Sequence, residues 1–212
     1  MNNVSSDRPG RWSAAIHVAV FAVALCASVS CSSEKNVTIT LPKSVIEYQT
    51  VDLAKGHQLA TDAYQISNST KAIKAYKKAL QTYQEQPAAW NNMGVLLMDE
   101  DQFVQAAEAF KQAAQLSPSD PRPLYNLGIV WDKRGYVREA RRFYSNALDR
   151  DASYLPALRA GIRADSILQE GSDETLEWLE RALMLERDTK WQHWMKLQRV
   201  RIEQQLSGKS DP

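Results

Sequence analysis

The sequence predicts an all-α chain: a solenoid of stacked helix-turn-helix repeats, with about three clear units, a degenerate fourth and a C-terminal capping helix. Three observations predict it. Small residues return every 34 positions, at Ala60, Gly94 and Gly128, and again at Ala72, Ala106, Ala140 and at Ala79, Ala113, Ala147. Large residues keep step with them, Leu59, Met93 and Leu127 just before the first ladder and Tyr76, Phe110 and Tyr144 between the other two. A period of this length is one supersecondary unit, too small to bury its apolar face alone, so neighbours must stack. Small residues fall where two helix backbones cross closely, and bulky ones fill the space on either side.

The elements follow in order. Residues 1–30 read as a signal peptide: Arg8 and Arg11 outweigh Asp7, and Ala14 to Val29 is apolar except for His17 and Ser28. Sixteen helical residues at ~1.5 Å each span ~24 Å, short of a ~30 Å hydrocarbon layer, which favours a cleaved export signal over a membrane span. The segment Ser28-Val29-Ser30-Cys31-Ser32-Ser33 resembles a bacterial lipoprotein cleavage site, which implies that Cys31 becomes the first mature residue and is acylated through its sulfur. Such sites usually carry Leu where this chain has Ser28, and the small residues Ser28 and Ser30 also suit an ordinary signal peptidase that would release a soluble protein. Acylation contributes ~0.8 kcal/mol per buried methylene, so two chains anchor firmly. Cys26 leaves with the signal, and a single remaining Cys forms no internal disulfide. Residues 31–52 read as a polar tether broken by Pro42, in which Val37 to Leu41 alternates like a strand too short to stand alone.

The array occupies residues 53–188 as units 53–86, 87–120, 121–154 and 155–188. Leu53 to Ile66 pairs with Thr70 to Thr82, capped by Ser69. Pro87 to Glu100 pairs with Phe103 to Leu116, with Asp101 at the turn. Arg122 to Arg134 follows the cap and first-turn signals Ser119-Asp120-Pro121, and Gly135 permits the left-handed turn before Val137 to Asp149. Leu155 to Gln169 and Glu174 to Glu186 form the worn pair around Gly171-Ser172, with Gly161 and Ile162 disturbing the small-residue position. Residues 189–206 form the capping helix, with Trp191, Met195, Ile202 and Leu206 on one side and charges on the other; the alternative is that Trp191 and Trp194 form a partner-binding patch. Residues 207–212 read as a disordered tail.

Pro87 to Asp120 carries Trp90, Met93, Gly94, Leu97, Ala106, Phe110, Ala113 and Pro118, and so resembles the tetratricopeptide repeat, with its W-x2-L-G-x2-Y, A-x3-F, A and P pattern. Pro121 to Tyr154 is similar through Leu124, Leu127, Gly128, Trp131, Ala140, Tyr144 and Ala147, with Ala152 replacing the closing Pro. Leu53 to Gln86 keeps Leu59, Ala60, Ala72, Tyr76 and Ala79 but has Gly56 at the aromatic position. The fourth unit, with Leu158, Leu179, Ala182, Leu183 and Leu185, fits only with one inserted residue.

The resemblance implies that the first helices of successive units line a groove. Its residues are then Tyr64, Asn91, Asn92, Val95, Met98, Arg122, Tyr125, Asn126 and Ile129, with Val95, Met98, Tyr125 and Ile129 forming an apolar strip for an extended peptide or one helix face. Asn92 and Asn126 could bond a peptide backbone; alternatively a segment of the chain covers these residues, or they pack between units. Some family members clamp a C-terminal carboxylate with Lys, Asn, Asn, Lys and Arg. The corresponding His57, Thr61, Asn92, Arg122 and Asn126 match that set only at Asn92 and in the charge of Arg122, so no such clamp is expected.

Charge excludes some functions. The chain has 26 Lys and Arg against 25 Asp and Glu, and loss of residues 1–30 leaves 24 of each, which disfavours nucleic acid as the partner. No Arg lies between Cys31 and Asp120, whereas Arg122, Arg134, Arg138, Arg141, Arg142 and Arg150 crowd the third unit; Arg134, Arg138 and Arg142 share one helix side with Arg141 alongside, read either as a solvated outer face or as a site for an acidic partner or anionic headgroup. His17, His57 and His193 have no ligand spacing, Asp99-Glu100-Asp101 reads as a solvated turn, and no phosphate loop or nucleophile motif occurs. The expectation is a protein without enzymatic activity, cofactor, metal or small-molecule substrate. It is read as an exported, lipid-anchored adaptor in the cell envelope that binds a protein or peptide. The alternatives are a structural subunit of an envelope, secretion or pilus assembly, and a soluble periplasmic or secreted form.

Overall fold

The computed structural model describes residues 43–208, and among them every regular element is an α-helix. These are α1 (Lys43–Tyr64), α2 (Ser69–Thr82), α3 (Pro87–Asp99), α4 (Phe103–Leu116), α5 (Arg122–Lys133), α6 (Val137–Arg150), α7 (Leu155–Leu168), α8 (Asp173–Leu185) and α9 (Thr189–Ser207). The chain divides into two compact units, Met1–Leu53 and Ala54–Pro212. In the first, the described residues are the opening turns of α1; the second holds the repeat array, a stack of consecutive helical hairpins. The signal segment, Cys31 and residues 209–212 lie outside the described residues.

The expected ladder is the line along which helices cross. A Cβ on Gly94 would sit 2.6 Å from the Phe110 ring, and one on Gly128 would sit 2.3 Å from the Tyr144 ring. Phe110 and Tyr144 are fully buried, as are Ala79, Ala106, Ala113, Ala140 and Ala147, so neither partner can retreat. In the fourth unit, expected to be disturbed at this position, Gly161 is itself the rung: its Cβ would meet the Trp178 ring at 2.6 Å. Gly161 falls 33 residues after Gly128, while Trp178 falls 34 after Tyr144. The missing residue is returned in the α7–α8 turn, where Gln169 takes a left-handed conformation at φ 57°.

The first unit has a different repair. Gly56 stands where the repeat wants an aromatic ring, and Tyr83 packs into that space, its Cβ 2.5 Å from where a Gly56 Cβ would be. The Tyr83 ring also stacks on His57 at 5.8 Å. Helix α1 begins at Lys43, ten residues before the expected Leu53, and so takes in the end of the expected tether. No Gly or Pro occurs between Pro42 and Gly56, and extending an existing helix costs far less than starting one.

Turn chemistry is local. Asn68, not Ser69, caps α2, its side-chain oxygen accepting from the Lys71 N–H at 2.9 Å; Ser69 is the first helical residue. Asp120 accepts from the Arg122 N–H at 3.0 Å ahead of α5, and Ser172 and Thr175 form a reciprocal capping box on α8. Gly135, at φ 81°, makes the α5–α6 turn, and Asp101, at φ 56°, makes the α3–α4 turn. Helix α9 closes the array with Met195 and Ile202 buried, Ile202 lying against Gly171 where a Cβ would approach it to 2.5 Å.

The arginines that crowd the third unit are divided among several tasks. Arg134 belongs to the turn and lies over the Trp131 and Tyr136 rings, 5.3 Å from each centroid. Arg138 pairs with Glu170. Arg141 bonds Asp165 at 2.8 Å and Glu174 at 2.7 Å, tying α6 to α7 and α8. Arg150 donates to the carbonyls of Ala114, Ser117 and Asp120, satisfying the open end of α4. Arg142 is exposed. Sequence spacing could not show this, because the acids come from the next unit.

Candidate binding face of the repeat array

The first helices of successive units are neighbours on one face. The Asn126 side chain on α5 donates to the Asn91 side chain on α3 at 2.9 Å, Arg163 on α7 pairs with Asp132 on α5, and the Arg159 guanidinium of α7 lies 5.1 Å from the Trp191 ring centroid of α9. Helix α1 joins this face through a cleft of about 430 Å³ against α3, lined by His57, Thr61, Tyr64, Tyr76, Glu85 and Asn92 among others. A second cleft of about 200 Å³ shares Tyr64, Tyr76 and Asn92 and extends to Val95 and Leu96.

The residues expected to line a groove do not stay together. Tyr64, 69% exposed, stands free at the cleft mouth, with Asn92 and Val95 half-buried inside it. Asn91 and Asn126 bond each other and are half-buried. Tyr125 and Ile129 are also half-buried; they pack where neighbouring apolar clusters meet, Tyr125 edge-on to Tyr154 at 5.6 Å. Met98 is buried in the core, because an unbranched side chain at this register can turn into the inter-helix space. Val95, Met98, Tyr125 and Ile129 therefore do not form one open strip. Arg122 is exposed and its guanidinium forks onto Asp120, with bonds of 2.9 and 2.8 Å. Burial tends to push the Asp120 carboxyl up, but the bonds from Arg122 outweigh it and hold the carboxyl below its ordinary value.

Local aromatic identity decides where the amides go. Asn92 donates to the Tyr76 hydroxyl at 3.4 Å. The equivalent ring of the next unit is Phe110, with no hydroxyl, which leaves the Asn126 amide for Asn91. The third ring, Tyr144, packs with Ala160, and its buried hydroxyl makes no well-formed hydrogen bond among the described residues, its polar neighbours being Asp132 and Arg163. Burial, with a smaller contribution from Asp132, outweighs the opposing Arg163 guanidinium and drives the Tyr144 pKa well above that of a free phenol.

Sequence reading missed Arg159 and Arg163. They fall 34 residues after Tyr125 and Ile129, so the repeat period carried the signal that the irregular fourth unit obscured. The Arg159 fork onto Glu186 has two bonds of 2.6 Å, and the Asp188 N–H adds one of 2.9 Å. Burial raises the Glu186 pKa, but these bonds outweigh it and leave the carboxyl below its ordinary value. A depressed carboxylate contributes stability that is complete above its unfolded pKa, ~4.3 for Glu, and is lost as pH falls through the folded value. Thermal unfolding of Glu186→Gln is therefore expected to lie well below wild type at pH 7, with the gap closing below about pH 4.

Stacked helical hairpins with their first helices side by side define the class: a helical repeat solenoid. Models of the tetratricopeptide repeat match residues 57–121 and 97–162, together half of the chain, so the chain belongs to the tetratricopeptide-repeat family. It is 35% identical over 77 residues to the BBSome complex member BBS4 of Xenopus tropicalis, covering 36% of this chain and 15% of that protein. It is 32% identical over 113 residues to Protein POLLENLESS 3-LIKE 2 of Arabidopsis thaliana, covering 50% of this chain and 26% of that protein. The chain thus spans about a quarter or less of these curated relatives. Among solved structures, MamA superposes with a TM-score of 0.55 at 20% identity, covering 66% of this chain and 85% of that one. An O-GlcNAc transferase mutant of Thermobaculum terrenum gives 0.53 at 22% identity, over 61% and 26%. These two likenesses concern the fold.

Proposed function

We propose that the chain is a protein-binding adaptor that holds a peptide or protein segment on its first-helix face and is exported and anchored through an acylated Cys31. The observation that carries the binding reading is the pair of adjoining clefts between α1 and α3, walled by the free ring of Tyr64 and floored by Tyr76, Asn92 and Val95. Apolar walls with a few convergent amides and hydroxyls suit a segment that buries a side chain while its backbone finds partners. The reading assigns the chain no chemistry of its own. For the anchor, the support is sequence alone: the apolar run Ala14 to Val29 ending at Ser30-Cys31. Among the described residues no helix is long and apolar enough to cross a membrane.

A photo-cross-linking side chain at Thr61, tested in the full chain in envelope preparations, is expected to give protein adducts that one at Lys111 on the opposite helix does not. Tyr64→Ala should reduce those adducts about tenfold, the scale of one lost aromatic contact. Identical adducts at both positions, or none at Thr61, would exclude this face. Mass spectrometry of the same preparation reads the anchor: a free thiol on Cys31 refutes it.

A further inference from the structure

The first-helix face changes chemistry toward α9. Three ion pairs there share one asymmetry. The Arg122 side chain is 62% exposed over an Asp120 that is 18% exposed, Arg163 is 46% exposed over Asp132 at 18%, and Arg159 is 32% exposed over Glu186 at 1%. In each pair the carboxylate lies beneath and the guanidinium meets solvent. Arg159 and Arg163 are one turn apart on α7, and Lys190, exposed and in no ion pair among the described residues, opens α9 beside them. Arg163 and Lys190 join Trp191 and Trp194 in lining a cleft of about 330 Å³, the two indoles meeting edge-on at 5.5 Å.

We propose that this end of the face receives an acidic segment of a partner protein, with one bulky apolar side chain of that segment entering the Trp191–Trp194 cleft. The proposal rests on the adaptor reading and names its partner class. Complementarity at contact range carries it: the cationic heads are outermost, their own carboxylates lie beneath, and Lys190 adds an exposed cation. A guanidinium offers five N–H donors in a fixed fork, so one already oriented by a carboxylate beneath it keeps donors for a second carboxylate and loses little freedom on binding it. The cleft has room for a Leu or aromatic side chain beside Lys190 and Arg163, so apolar anchor and acidic flank are read together.

The same observations disfavour nucleic acid and a bilayer. Each of the three guanidinium groups already has its counter-charge beneath it, which weakens the long-range field on which phosphate backbones and anionic lipid surfaces depend, while its outward N–H donors remain for a carboxylate in direct contact. One face of Trp191 is covered by Arg159, and Trp194 meets that indole edge-on, which leaves a poor platform for stacking bases.

The test is selection of a random dodecapeptide display library on the full chain. Enriched peptides are expected to carry several Asp or Glu around one aromatic, Leu, Ile or Met residue. The best of them, as a synthetic peptide, should bind at least tenfold more weakly to Arg163→Gln/Lys190→Gln and to Lys190→Glu, while Lys111→Gln binds as wild type. Lys190 is exposed, so Lys190→Glu keeps the test open if Arg163→Gln perturbs folding. Enriched peptides that are neutral or basic overturn the proposal, as do acidic ones indifferent to Lys190→Glu. Tighter binding of phosphatidylglycerol vesicles or of a thymidine oligonucleotide also overturns it. Peptides that depend on Tyr64 but not on Lys190 overturn this assignment and leave the adaptor reading standing, whereas a library yielding no binder counts against both.

Discussion

Asp165→Leu is expected to destabilise the array by about 3 kcal/mol, lowering the unfolding midpoint by roughly 6–12 °C for a domain of this size. Asp165 is 2% exposed and accepts from the Arg141 guanidinium at 2.8 Å and from the Thr175 hydroxyl at 2.7 Å, with Thr175 itself fully buried. Removing the carboxylate leaves a cation and a hydroxyl facing an apolar side chain. Losing one member of a buried pair costs about 3–5 kcal/mol, and the lower end applies because Arg141 is 22% exposed and keeps Glu174. The triple replacement Asp165→Leu, Arg141→Met, Thr175→Val should recover part of the loss, since a well-packed apolar substitute for a buried ion pair is often neutral, while Thr175→Val gives up its half of the α8 capping box. Met at 141 can still cover the Trp178 ring that Arg141 lies over at 4.7 Å. A triple variant as unstable as the single one would show that packing, not stranded polarity, sets the cost.

Gly128→Val is expected to cost about 3 kcal/mol, at the upper end of overpacking. Even a bare Cβ would come within 2.3 Å of the Tyr144 ring, and Tyr144 is enclosed on all sides. Gly128→Ala should lose less, because about 1 kcal/mol of helix propensity is regained. Combining Gly128→Val with Tyr144→Leu makes room at the crossing and should restore part of the midpoint. Thermal unfolding of the four proteins decides it: a Gly128→Val midpoint within 2 °C of wild type would place the helix crossing elsewhere.

The hairpin plan was readable because the features that define it are local or strictly periodic. Gly94 and Gly128 announce their crossings by a fixed distance to Phe110 and Tyr144, and Gly135 and Asp120 mark turns within a few residues of where they act. What sequence spacing could not supply was long-range pairing. Arg141 is 24 residues from Asp165 and 33 from Glu174, so a reading by helix faces assigns its charge to solvent or to an external acidic partner. The fourth unit was obscured because its turn returns the residue that its first helix lacks. Met98 shows the limit for the binding face: the repeat register places it among groove positions, but a flexible apolar side chain follows the lower energy of burial. Tyr64 and Asn92 stand in the cleft where that register put them, while the Trp191–Trp194 cleft depends on a helix that follows the repeats.

The matching of rings to amides, Tyr76 with Asn92, Phe110 with an Asn126 turned elsewhere and Tyr144 against Ala160, means that the units are not interchangeable. Each hairpin is a half-fitting for the particular hairpin that follows it. A shuffled order that set Tyr76 against an alanine would take the Asn92 amide away from its hydroxyl, so duplication and recombination here are constrained to move neighbours as couples. Linear identity along the chain is thereby written into its joints as well as its beads.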